Sequence, residues 1–165
     1  MSADWSGQGR CGQLEKPVKS DPDLMLIACR PTALPGTPVD PAVPASDSFD
    51  IAEAVFRYQF EHNASGQKTS APAYYLVLVE ADPPPEFLAR FGDLSKPVMA
   101  GSEADPNAPH GLQFRADSME RVSASSVVVE GGYYEGPLSA SGNTYLVQVV
   151  YGRWVVTCDI MHWIS

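Results

Sequence analysis

The sequence predicts an α+β fold, on three observations. From Leu112 to Ser165 it reads as consecutive strands separated by glycine-marked turns, closing in a tight hairpin around Tyr151-Gly152. One long segment, SFDIAEAVFRYQFEH over residues 48–62, has helical spacing instead. Between them AYYLVLVE, residues 73–80, is aromatic and β-branched and reads as a strand buried on both faces.

The helix is the first firm element. Asp50 is placed to cap it, and Glu53, three residues on, completes a capping-box pattern. Ile51, Ala54, Val55 and Tyr58 recur on one face, with Phe56 and Phe60 on the neighbouring one, so a wide stripe is expected to face a sheet. Asn63-Ala64-Ser65-Gly66 stops it. Pro83-Pro84-Pro85 ends the following strand, and Glu86–Phe91 is expected as a short helix opened by proline. Residues 93–111 read as a loop with scattered acids, in which Pro97-Val98-Met99 forms a brief edge segment.

In the last third, Leu112–Ala116 and Met119–Val122 flank a bend. Ser126–Glu130 and Tyr133–Glu135 flank Gly131-Gly132, read as a bulge or kink. Asn143–Tyr151 places Tyr145, Val147, Val149 and Tyr151 on one face and Leu146, Gln148 and Val150 on the other. Arg153–Trp163 places Trp154, Val156, Cys158 and Ile160 on one face and Val155, Thr157, Asp159 and Met161 on the other. Ser139–Asn143 reads as a flexible connection between strands.

Residues 1–47 differ in kind. Prolines at 17, 22, 31, 35, 38, 41 and 44 exclude a long helix or a central strand. This stretch is expected to be an arm, with Leu24–Cys29 a short docking segment and residues 48–165 the single domain. The start has neither basic n-region nor apolar h-region, so no signal peptide is expected as written, and a Met-Ser start suits a removed leader. Both a cytoplasmic and an exported chain fit this. No apolar run reaches the ~18 residues of a membrane span.

A net charge of −9 repels phosphate backbones and disfavours nucleic acid. It suits a basic protein partner. Cys11 and Cys29 are placed to close a small loop, and Cys158, in a strand, reads as a buried free thiol; three reduced cysteines fit equally well.

The element order over residues 48–165, and the hairpin Tyr151-Gly152-Arg153-Trp154-Val155-Val156 in particular, is similar to the cystatin-like and NTF2-like α+β folds. The resemblance implies helices packed in the concave face of a curved antiparallel sheet. The chain departs from the NTF2-like pattern where a proline-rich arm stands in place of a first helix.

Few residues suggest chemistry. Tyr133 and Glu135 lie on one strand face, an arrangement that suits either an acid–base pair or a structural tie. Cys158 and His162 stand roughly 13 Å apart on an extended strand, too far to share a metal. His62, His110 and His162 form no zinc motif, and G-x-S-x-G is absent. No metal, cofactor or catalytic residue is therefore assigned. Two readings follow. One is a non-enzymatic binding protein, of inhibitory or immunity type, that contacts a protein through its acidic surface. The other is an NTF2-like protein or enzyme binding a small apolar ligand between helix and sheet, with Tyr58, Tyr75, Tyr133, Glu135, Trp154 and His162 lining the pocket. A purely structural accessory domain is a third.

Overall fold

The computed structural model describes residues 42–62, 69–105, 112–136 and 138–165. The expected arm, its Leu24–Cys29 segment, Cys11, Cys29, the helix-stop residues and His110 lie outside these. Helix α1 spans Ala45–His62. It is followed by β1 (Tyr74–Leu78), the short helix α2 (Pro85–Leu88) continued by a 3-10 turn (Ala89–Phe91), and β2 (Val98–Ala100). Strands β3 (Leu112–Ser123), β4 (Ser126–Gly136), β5 (Ser139–Val150) and β6 (Arg153–Ile164) complete the chain.

The fold is α+β, two helices on a six-stranded open sheet in the order β2-β1-β3-β4-β5-β6. The sheet is mixed rather than antiparallel throughout. β1 pairs parallel with both β2 and β3, while β3 to β6 form an antiparallel meander. The parallel edge arises because α2 carries the chain back over the sheet between β1 and β2.

Helix α1 begins three residues earlier than its sequence pattern indicates, because Pro44 starts it. The Pro44 carbonyl accepts from the amides of Asp47 and Ser48 at 3.0 and 3.2 Å. Asp50 and Glu53 are thus inside the helix and make no capping box. Both instead accept from Arg90, at 2.7 and 3.0 Å, and Glu53 also accepts from Arg57. Arg57 reaches on to Asp93 at 2.9 Å, so an ionic clamp ties α1 to the α2 segment.

The buried stripe of α1 is Ile51, Ala52, Val55, Phe56, Gln59 and Phe60, with Ala54 and Tyr58 at its margin. The expected stripe is rotated because the two phenylalanines carry the largest apolar area and take its centre. Phe60 meets Tyr74 and Phe114 at centroid distances of 4.7 and 4.9 Å, and Phe56 meets Phe87 at 6.0 Å. The inner sheet face supplies Leu76, Phe114, Val127, Val129, Tyr145 and Val147.

The bends expected in β3 and β4 do not break either strand. One register shift in β3, between Ala116 and Ser118, is absorbed at Asp117 opposite the Gly131 step. Strand β5 starts at Ser139, so the Ser139–Asn143 segment is strand, not loop; its small residues allow close pairing with Gly132. In β6 a shift at Thr157 breaks the alternation. Trp154 and Val156 pair with the inner residues Val149 and Val147, whereas Cys158 pairs with outer-face Leu146. Cys158 is accordingly not a buried free thiol. It is half-buried and disulfide-bonded, on the face to which the Thr157 bulge turns it.

Two hairpins use left-handed residues. Tyr151 and Gly152 have φ of 50° and 77°, both positive as a type I′ turn requires, at the tight hairpin expected there. After β1, Val79 and Glu80 adopt φ of 50° and 59° in a turn closed by paired bonds between Leu78 and Ala81. A β-branched residue is strained there. Val79→Gly should therefore raise stability by about 0.5–1 kcal/mol, the relief of strain outweighing glycine's extra unfolded-state entropy. Urea denaturation of the two proteins checks this, and a lower midpoint for the glycine variant counts against it.

Candidate functional site

The sheet face turned away from the helices carries a trough of about 600 Å³ over β3, β4, β5 and β6. Its floor follows from three glycines. Gly132 pairs with Arg115 on one side and Gly142 on the other, and Gly142 pairs with Trp163. An ideal Cβ on Gly131 would lie 2.2 Å from the Arg115 carbonyl oxygen, and one on Gly132 2.0 Å from that of Ser141. Only glycine fits these backbones. Two adjacent strands thus present no side chain at one level, and the sheet is hollowed there.

The walls are polar and aromatic. On the β3 side Arg115 holds Asp117, Nη2 to Oδ1 at 2.8 Å, an in-strand pair made possible by the Asp117 bulge. On the β6 side the indole of Trp163 lies over Gly142, its Nε1 at 2.2 Å from where a Cβ would stand. Tyr134 is exposed at one end.

At the other end a chain of three groups crosses three strands. The Thr144 hydroxyl lies 2.8 and 2.9 Å from the two carboxylate oxygens of Glu130, and His162 Nε2 is hydrogen-bonded to the same hydroxyl. One hydroxyl proton serves one acceptor, and the carboxylate is the stronger. Thr144 therefore donates to Glu130 and accepts from Nε2–H of His162. Thr144 is buried and Glu130 exposed, so the carboxylate is held from below and open above.

Where the end of α1 meets the sheet, the apolar core gives way to a polar network. Gln59, fully buried, donates from Nε2 to the Arg115 carbonyl at 2.9 Å and to the Tyr145 hydroxyl at 3.2 Å. Ser141 donates to Asn143, and Asn143 to Asp159, both at 2.7 Å. Tyr58 hydrogen-bonds Asp159 and stacks on His62. Burial raises the phenol pKa of Tyr145, and burial with the Asp159 charge raises that of Tyr58.

The structure scatters the residues that the sequence suggested for a pocket. His162 lines the outer trough; Tyr133 borders it too, but with its ring buried in the core on the other face. Tyr58 belongs to the inner network, and Trp154 packs half-buried against the core cluster. Tyr75 is on the outer side of β1, beside Gln113 and Met99. Glu135 sits at a register shift and accepts from Ser139 at 2.7 Å, while the Tyr133 ring is in the core. Glu130, Thr144, Arg115 and Trp163 are the residues sequence reasoning missed; their only signal was the glycines that become neighbours once β4 and β5 pair.

Among the described residues, no three His, Cys, Asp or Glu side chains converge to hold a metal ion. No described helix is long and apolar enough to cross a membrane. Comparison with protein families, with curated proteins and with solved structures finds no match for this chain.

Two measurements test this geometry. Gly142→Ala should displace the Trp163 indole, shifting tryptophan emission relative to the parent protein, with Trp163→Phe abolishing the difference. An unchanged spectrum would show that the indole does not rest on Gly142. In alkaline titration followed at 295 nm, Tyr145 and Tyr58 should ionise only above the ordinary value of ~10. Because the folded state holds these protons more tightly than the unfolded chain, stability is full below pH ~10 and falls as pH rises further. Ionisation of every tyrosine at the ordinary value, without unfolding, would contradict their burial.

Proposed function

We propose that this chain is a non-enzymatic binding protein and that its outer sheet trough is the surface that meets a basic protein partner. The observation that carries the reading is the trough itself. It is a concavity of about 600 Å³ on the face no described helix covers, with the exposed carboxylate of Glu130 anchored from beneath. The net charge of −9 supports it, because such a surface steers cationic partners and repels anionic ones. Loops and sheet faces held on a rigid scaffold are where recognition concentrates. The disulfide at Cys158 supports a working place in an oxidising compartment, hence an exported protein.

The Glu130–Thr144–His162 chain favours one second reading, a small-molecule site with acid–base capacity. A single experiment separates the two. Immobilised protein is exposed to an extract of its native host at 0.05 M and 0.5 M salt, beside the Glu130→Gln variant. The expected result is a basic protein retained at low salt, released at high salt, and depleted on the variant. Retention of acidic proteins only, or turnover in hydrolase or isomerase assays that Glu130→Gln abolishes, would overturn it. Glu135→Gln should leave retention unchanged.

A further inference from the structure

We infer that the trough is a subsite for a primary ammonium group, the side chain of a lysine, and that it discriminates against arginine. This rests on the binding-protein reading above and names the group recognised. The discriminating feature is the Thr144 hydroxyl. At 2.8 and 2.9 Å from the two Glu130 oxygens, it sits in the fork between them. That fork is where a guanidinium places its two parallel N–H donors. With the hydroxyl oxygen standing there, a second donor has no room between the two oxygens and approaches Glu130 from the outward side. A compact ammonium with three rotatable donors binds from that side; a planar guanidinium loses its paired geometry.

The surroundings fit the rest of a lysine. His162, bonded to Thr144, is followed by Trp163, whose indole covers Gly142 on the trough wall. An aliphatic stem lies against such a ring, and the cation gains from the ring face. Arg115, the cation that also lines the trough, is paired with Asp117 through Nε and Nη2 at 2.9 and 2.8 Å, so its charge is locally balanced. Glu130 has a hydroxyl beneath it and no ion pair among the described salt bridges. The glycine floor leaves depth for a side chain to enter from above.

The test uses three short peptides differing at one residue: lysine, Nε-acetyl-lysine and arginine, each acetylated and amidated at its ends. Binding is read from the indole N–H signal of Trp163, assigned by loss in Trp163→Phe. The lysine peptide should shift that signal saturably. The acetyl-lysine peptide should not, and the arginine peptide should need at least about five-fold higher concentration. Thr144→Ala, which removes the hydroxyl from the fork, should bring the arginine and lysine peptides within about two-fold of each other. Glu130→Gln should abolish the shift. Equal binding of the lysine and acetyl-lysine peptides, or of the lysine and arginine peptides to the unaltered protein, overturns the inference without any variant having to fold. Polylysine that binds salt-sensitively to both the parent and Glu130→Gln removes the subsite and leaves the wider reading standing. Failure of polylysine to bind at all removes both.

Discussion

The structure depends on one aromatic contact layer, the packing of α1 and the α2 segment against the inner face of the sheet. Phe56, Phe60, Phe87, Phe91, Tyr74 and Phe114 form a continuous cluster in which successive rings lie 4.7 to 6.4 Å apart, mostly edge to face. Each such pair adds about 0.5–1.5 kcal/mol beyond simple burial. The cluster joins the helix to the parallel strand β1 and to the first strand of the meander, two parts of the chain with no backbone ladder to α1. The ionic clamp of Arg57 and Arg90 with Asp50, Glu53 and Asp93 surrounds it at the exposed rim, where ion pairs contribute little individually. Its value is orientation: Arg57 also lies over Phe91 of the cluster, and Arg90 over Phe49, which packs on Phe87.

One-sided packing has a consequence for the other face. With both described helices on the inner side, the outer face is shaped by strand residues, and irregularities in the ladder become features of the surface. Asp117 and His162 each stand at a register shift, and each is turned into the trough wall. The glycines supply depth where the bulges supply reach. A regular ladder of the same length with alternating full side chains would present a flat polar surface, and Glu130 would lack the support that Thr144 and His162 give it.

That support separates the trough from an ordinary patch of surface acids. A solvated carboxylate pays side-chain entropy whenever it meets a cation. Glu130 is already held by Thr144, so less of that cost falls at binding. The inner polar network has a different character. Gln59, Tyr145, Tyr58, Asp159, Asn143 and Ser141 are tied to each other or to backbone beneath the end of α1. Their role is to fix the end of α1 over β5 and β6.

The sequence by itself determined the elements whose signals are local. The helix is legible in the spacing of Ile51, Val55 and Tyr58, the hairpin in Tyr151-Gly152, the short helix in Pro85, and the α+β class in their order. Periodicity and turn chemistry depend on neighbours a few residues apart, so they can be read along the chain. Tertiary structure decided the rest. It set the parallel placement of β1 between β2 and β3, and it made Ser139–Asn143 a strand because that segment pairs with Gly132 and its neighbours. It turned Cys158 outward through the Thr157 bulge, since one extra residue reverses every later face. It assembled the candidate site from Arg115, Glu130, Thr144 and Trp163, which come from four strands and share no spacing. Register between strands is set by long-range pairing, and that pairing carries no mark in the residues it brings together.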